Sequence, residues 1–372
     1  MSTLEEIFLV ITVGGVAIST ASLIPRIGPG RAVWIALRSR FAFKPVPESL
    51  RLAEINLLKR RITDKDFGQG YLVVTGEKGV GKTCLLDTVT SKTPGVIKME
   101  AQPGQNQDTV IKNALLQLTN PPFRFMDPFK SAPKVLFWYR FFTLGRSPII
   151  VINATERKVG EEYASLTGAV RTLVDRYKLR VVVDGSPNSL DESLLRTTRQ
   201  RVIDIKPMTR EMIWQIEELE DLFKFVKEAE LESTLFAVLG GIPSRYLELW
   251  DNAKIDLQGG NNPRQVIGAH LCAEIYASIQ VIEDSKSKSN HMEAIIKLFD
   301  KDMKWIPRKS LTVRRLQQPT PDKVFRRTKR NGISILIPTS DAICIVLQHS
   351  LEKEPSLSEL EELLKNKVLV SC

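Results

Sequence analysis

Apolar residues along this chain fall into a few short, unbroken runs separated by longer stretches of mixed polarity. Gly70–Thr75, Pro148–Ile152, Leu179–Val183 and Arg201–Ile205 are each five or six residues long and rich in β-branched side chains. Strands covered on both faces by helices read this way, so the pattern predicts buried strands of a parallel sheet. Cys84–Val89 is helix-compatible and follows the first run closely. Thr209, with Glu211 two residues on, predicts an N-cap and the start of a helix. Further along, a helix is expected around Met292–Met303, a strand at Ile333–Ile337, and an amphipathic helix over Ser356–Lys367 whose Ser356 and Glu359 form a capping-box pattern.

One apolar run is of a different kind. Ile7 to Ile24 holds 18 residues without a charge, the length at which a membrane-spanning helix becomes a candidate, and Pro25 ends it. Glu5 and Glu6 stand where a secretory signal would carry basic residues. Arg26, Arg31, Arg38 and Arg40 flank the other side, which by the positive-inside bias leaves the bulk of the chain on a cytosolic or matrix side. A membrane anchor is the expectation; a buried or oligomer-packing helix and a cleaved presequence are the alternatives, and a soluble intracellular protein follows from the former.

With 372 residues, 43% hydrophobic and 26% charged, the chain is long enough for two folded units and too apolar to be mainly disordered. Four cysteines without a C-x-x-C pair, and three histidines, argue against a zinc site or a disulfide framework. The formal charge of +10 is concentrated in two blocks, residues 26–61 and 301–330, the second with eleven Lys/Arg against two acids. Such a block suits nucleic acid or an anionic surface, but Trp305 and Phe325 are its sole aromatics, too few for a surface that stacks single-stranded bases.

The strongest chemical signal follows the first strand. Gly76-Glu77-Lys78-Gly79-Val80-Gly81-Lys82-Thr83 is G-x-x-x-x-G-K-T, set between a strand and a helix that begins near Cys84. Backbone amides of such a loop wrap phosphates, a helix N-terminus favours their charge, the lysine reaches the β- and γ-phosphates, and the threonine can ligate Mg²⁺. The expected ligands are therefore ATP and Mg²⁺, held by Gly76, Glu77, Lys78, Gly79, Val80, Gly81, Lys82, Thr83 and Cys84. The acid that helps hold the metal should end a second strand, yet Pro148–Ile152 ends in Asn153, a neutral acceptor. Thr83 and Asn153 are the candidate metal residues. Glu156, three positions beyond Asn153, is a candidate to orient the attacking water, or else one half of a solvated loop pair with Arg157. Asp184, or Ser186, ends the third run and could contact the γ-phosphate or that water, or serve as an ordinary strand cap. Arg196, Arg199 and Arg201 include a candidate arginine finger that would act on the nucleotide of a neighbouring copy in a homo-oligomer.

With Arg51–Leu58, a charged helix preceding the first strand, and Gly240-Gly241-Ile242-Pro243-Ser244-Arg245-Tyr246-Leu247, a G-G-x-P motif, this series resembles the AAA-type P-loop ATPases of the archaeal-ATPase and STAND group over Pro45–Trp250. Related domains occur in crinkler-type proteins. The resemblance implies a three-layer α/β P-loop NTPase core with a parallel sheet and a helical lid, and makes Arg245 the residue that senses nucleotide from the lid. The expected organisation is an apolar segment at 1–25, a basic linker at 26–44, the ATPase core at 45–208, the lid at 209–283, a Ser/Lys-rich linker at 284–290, and a small basic α+β domain at 291–372, for which a winged helix is one form. The function so read is a nucleotide-dependent switch or motor with ATP hydrolysis. A scaffold that binds without turnover and a DNA-associated ATPase remain alternatives, since Asn153 leaves hydrolysis open.

Overall fold

A computed structural model describes residues 31–33, 35, 50–63, 70–91, 93, 95–102, 104–119, 127–154, 164–185, 200–288, 306–307, 324–330, 333–338, 340–349 and 351–365. The apolar segment 7–24, Glu156, Ser186, Arg196, Arg199 and the helix expected at 292–303 lie outside them, as does most of the basic stretch 301–330. The chain forms two compact units, Met1–Thr75 with Lys82–Asp204, and Gly76–Gly81 with Ile205–Cys372.

The first unit is built on a five-stranded sheet in the order β2-β3-β4-β1-β5, formed by β1 (Tyr71–Gly76), β2 (Val96–Ala101), β3 (Ile149–Ala154), β4 (Arg180–Asp184) and β5 (Gln200–Ile205). The β2–β3, β3–β4 and β4–β1 ladders are parallel. The four short apolar runs Gly70–Thr75, Pro148–Ile152, Leu179–Val183 and Arg201–Ile205 correspond to β1, β3, β4 and β5. Tyr71, Val73, Ile150, Ile152, Val181 and Val183 pack into one core, while the alternating Leu72, Val74, Val151 and Val182, which point to the opposite face, are equally buried. Only a sheet covered on both sides has this property, and it explains why β1, β3 and β4 read as continuous apolar runs. The edge strands β2 and β5 instead alternate, with Lys98 and Glu100 exposed on the first and Val202 and Asp204 on the second, so the expectation of a fully buried strand at Arg201–Ile205 requires correction.

Helices of this unit include α1 (Leu52–Thr63), α2 (Lys82–Ser91), α3 (Gln107–Thr119), α4 (Pro128–Phe142) and α5 (Ala164–Asp175). In α1 the buried Ile55, Leu58 and Ile62 recur at three- and four-residue spacing, one face of a helix. The N-terminus of α4 is fixed by Asp127, whose carboxylate accepts from the Phe129 N–H at 3.0 Å, with Pro128 in the first turn where its missing N–H costs nothing.

The second unit is mainly helical. It contains α6 (Arg210–Ile213), α7 (Glu220–Glu228), α8 (Glu232–Leu239), α9 (Pro243–Gln258), α10 (Pro263–Lys288), α11 (Asp341–His349) and α12 (Leu357–Lys365) around one apolar core. Its strands β6 (Ile306–Pro307), β7 (Phe325–Arg330) and β8 (Ile333–Pro338) form an antiparallel sheet in the order β6-β8-β7. Thr209 caps α6 by accepting from the Met212 N–H at 3.4 Å. At α12 the capping box is closed in both directions, Ser356 N–H to Glu359 Oε2 at 2.7 Å and Glu359 N–H to Ser356 Oγ at 3.3 Å. Arg264 ties α10 to α12 through a bidentate pair with Glu361, 2.7 Å to each oxygen.

The expected linker at 284–290 requires correction over its described residues, because α10 runs into it as far as Lys288. Ile282 and Ser285 are buried, and the Ser285 hydroxyl donates back to Val281 O at 2.7 Å, so tertiary packing overrides the polar composition. Within α10, 23 residues reach a mean hydropathy of 1.2, long and apolar enough to span a bilayer. Its Ile267, Leu271, Ile275, Ile279 and Ile282 are buried in the helical core, the pattern of a central core helix.

Candidate functional site

The strand order decides which polar residues meet the start of α2. β4, not β3, lies directly beside β1, with Val74 opposite Asp184 and the Gly185 N–H donating to Val74 O at 3.2 Å. The end of β4 is thereby held next to the first turn of α2. Thr83 Oγ1 donates to Asp184 Oδ2 at 2.8 Å. Asp184 is 2% exposed, and its other oxygen, Oδ1, is buried with no hydrogen-bond partner among the described residues. Burial raises the carboxyl from its ordinary value; the Thr83 hydrogen bond and the Lys82 charge oppose this, while Asp87 adds to it. Lys82 is itself buried, at 9% exposure, whereas Thr83 and Cys84 are exposed.

Asn153 ends β3 in register with Asp184 and is partly buried. Glu100 stands opposite it on the edge strand β2 and is exposed. Arg201 lies in β5, partly buried; its companion Arg199 and the proposed water-orienting Glu156 are among the residues not described. Of the polar groups expected at the strand ends, the structure thus brings together Lys82, Thr83 and Asp184, with Asn153 one strand further out.

In the second unit, Gly76–Gly81 packs against the turn that opens α9. The Ser244 N–H donates to Gly79 O at 3.4 Å. Gly79 has φ +77°, and a Cβ there would overlap Ser244 Oγ and lie 2.8 Å from Ser244 Cβ and 3.1 Å from Ile242 Cγ2, so both conformation and space call for glycine. Val80 is fully buried and its N–H donates to Glu77 O at 3.4 Å; Lys78 is exposed, and Glu77 and Gly81 are partly buried. A Cβ on Gly76 would sit 2.5 Å from Ile205 O.

The Gly240–Pro243 turn is held on several sides. Gly240 closes α8 at φ +65° and ψ −156°, a region open essentially to glycine alone. The Tyr246 hydroxyl donates to Gly240 O at 2.7 Å, the Met208 N–H donates to Gly241 O at 2.8 Å, and Pro243 occupies the first turn of α9. Burial, with the nearby Asp341 carboxylate, drives the Tyr246 phenol far up from its ordinary value, so it stays a neutral donor. Arg245 lies 4.0 Å from Glu274 Oε1, and its Nη1 is buried without a hydrogen bond. Sequence reasoning singled out Arg245 in this motif but missed Ser244, whose partner Gly79 is remote along the chain; no local pattern announces that contact.

A sheet ordered β2-β3-β4-β1-β5, with a G-x-x-x-x-G-K-T loop leaving β1, defines an α/β P-loop NTPase core. Residues 64–223 match the AAA domain family, and this part of the chain is an AAA-type P-loop ATPase domain, a nucleotide-binding module. No curated protein matches the chain in sequence. Among solved structures, the Walker-type ATPase of Pyrococcus abyssi is similar at 14% identity and a TM-score of 0.48, over 80% of this chain and 95% of that one. The RuvB Holliday junction branch migration motor of Thermotoga maritima is similar at 12% identity and a TM-score of 0.39, over 66% of this chain and 78% of that one.

Proposed function

We propose that the chain is an ATP-hydrolysing switch or motor in which phosphate bound by the loop is read at the N-terminus of α9. The observation that carries this reading is the packing of Gly79 against Ser244, with the Ser244 N–H on the Gly79 carbonyl. Loop amides that turn toward a phosphate move that carbonyl, and the strain falls on the turn carrying Arg245. Packed turns of this kind have a few discrete arrangements, as a switch requires. Lys82 would neutralise the β- and γ-phosphates, and the Thr83 hydroxyl would face a Mg²⁺ ion, which when bound offsets the charge developing on the phosphoryl group. The residues present fit such a cation, since a hydroxyl and a buried carboxylate with one oxygen unpartnered stand together. Affinity with the archaeal-ATPase and STAND group, oligomers in which Arg201 or Arg199 serves a neighbouring site, and lid sensing by Arg245 complete this reading.

Attachment to a membrane is part of the same proposal. It rests on the uncharged Ile7–Ile24 segment with its basic flank, and is supported by an aromatic cluster on α4 in which Phe137, Phe141 and Phe142 are exposed around the partly buried Trp138, with ring centroids 5.6–5.9 Å apart. A cavity of about 620 Å³ lined by Phe129, Phe137, Phe141 and Arg140 adjoins that cluster. The second reading, a scaffold that binds nucleotide without turnover, is favoured by Asn153, which brings no charge to the end of β3. DNA association through the basic strand β7 is a further use the ATPase could have, and would weaken steeply with salt.

Mg²⁺-dependent ATP hydrolysis by the full chain, measured beside nucleotide binding and with Lys82→Ala as control, tests the proposal. Turnover lost in Lys82→Ala supports the switch or motor; binding without turnover assigns the scaffold; no binding refutes both.

A further inference from the structure

We infer that Asp184, at the end of β4, supplies the carboxylate that holds the divalent cation in this chain, the end of β3 being given over to the neutral Asn153. This rests on the reading that Gly76–Thr83 binds a nucleoside triphosphate, and it replaces the expectation that Asp184 serves the attacking water.

Three observations carry it. First, the position at the end of β3 holds an amide, whose oxygen can accept or ligate but brings no charge to balance a dication. Second, two other described carboxylates are differently placed: Asp87 pairs with Lys98, and Glu100 is exposed on the edge strand β2, while Glu77 in the loop is only partly buried. Asp184 alone is both buried and hydrogen-bonded to the Thr83 hydroxyl, at 2.8 Å. Third, Oδ1 of Asp184 is buried without a hydrogen-bond partner among the described residues. A desolvated carboxylate oxygen left unpaired is unfavourable unless a cation completes it, and hard divalent cations such as Mg²⁺ are bound through one or two carboxylates together with phosphates.

The geometry gives the displacement a simple origin. β4 lies between β1 and β3, and Asp184 is opposite both Val74 on β1 and Asn153 on β3. A carboxylate moved from β3 to β4 therefore crosses a single strand spacing and lands nearer to Thr83. Loss of the acid at Asn153 then need not mean loss of the cation.

The test uses the full chain, Mn²⁺ as an electron-paramagnetic probe, and a non-hydrolysable ATP analogue. Asp184→Asn is expected to weaken Mn²⁺ binding to the nucleotide-loaded protein by roughly 10–100-fold, the range for groups that support a bound metal, while analogue affinity in EDTA is unchanged. Asn153→Ala is expected to weaken Mn²⁺ binding by less than Asp184→Asn does. Asp184→Cys provides a readout that a purely structural role would not move, since a thiolate should turn the preference from Mn²⁺ toward the softer Cd²⁺. Wild-type Mn²⁺ affinity in Asp184→Asn, a larger loss in Asn153→Ala, or an unchanged metal preference in Asp184→Cys would each overturn the inference while leaving the triphosphate reading in place. If the parent chain binds no analogue in EDTA, that reading fails and the inference falls with it.

Discussion

Replacing Gly79 by alanine separates two costs that are usually merged. Gly79 has φ +77° and Gly104 has φ +76°, so an added methyl group meets nearly the same backbone penalty at both, about 1–2 kcal/mol for a non-glycine residue in the left-handed region. Their surroundings differ. At Gly104 nothing lies within 4 Å of the added carbon, whereas at Gly79 it would overlap Ser244 Oγ and crowd Ser244 Cβ and Ile242 Cγ2. The hydroxyl can rotate away, but a Cβ at 2.8 Å cannot, so overpacking should add about 1–3 kcal/mol. The expected outcome is that Gly79→Ala destabilises its surroundings by about 1–3 kcal/mol more than Gly104→Ala does. Ser244→Gly should restore most of that excess in a double-mutant cycle, leaving the backbone part. Amide exchange read in peptides spanning 76–81 and 240–250 of the full chain measures the effect locally, without assuming that two units unfold together. Equal costs at positions 79 and 104, or no coupling to Ser244, would refute the packing of the loop against α9 and remove the observation on which the switch rests.

Tyr246→Phe deletes the hydroxyl that satisfies Gly240 O and should cost about 1–3 kcal/mol, the penalty of a buried acceptor left unpaired, read as faster amide exchange at the start of α9. Lys82→Ala should weaken triphosphate binding by about 10–100-fold, corresponding to about 1.5–3 kcal/mol for a charge-assisted contact, measurable by calorimetry. At α12, the hydrogen bond from the Ser356 backbone holds the Glu359 carboxyl below its ordinary value, with the Ser356 hydroxyl contributing. A depressed carboxyl stabilises the folded state fully above its unfolded value and loses that contribution as pH falls through the folded one. Amide exchange in 357–362, corrected for its intrinsic pH dependence, should therefore show α12 fraying on acidification through the carboxylate range, and Glu359→Gln should remove that dependence.

What could be read in advance shared one property, that cause and effect lie within a few residues. The G-x-x-x-x-G-K-T loop, the Thr209 cap, the Ser356 and Glu359 capping box and the apolar runs of β1, β3, β4 and β5 are local patterns, and the structure contains each of them. The Ser/Lys-rich stretch at 284–288 misled for the converse reason: its composition is that of a linker, while its conformation follows from the burial of Ile282 and Ser285.

The candidate site divides along the same line. Lys82 and Thr83 could be singled out as candidate phosphate and metal residues because the spacing of the loop places them. That Thr83 meets Asp184, 101 positions away, depends on β4 inserting between β1 and β3, and strand order leaves no mark on the strands themselves. The contact of Gly79 with Ser244 likewise requires the helical unit to be folded before it exists. The sequence by itself therefore determined that this chain carries a phosphate-binding loop on an α/β core, and that an amide ends the strand where an acid is usual. Only the tertiary structure decided which carboxylate stands beside the loop threonine, because pairing between strands, unlike a turn or a cap, is selected by the packing of the whole sheet.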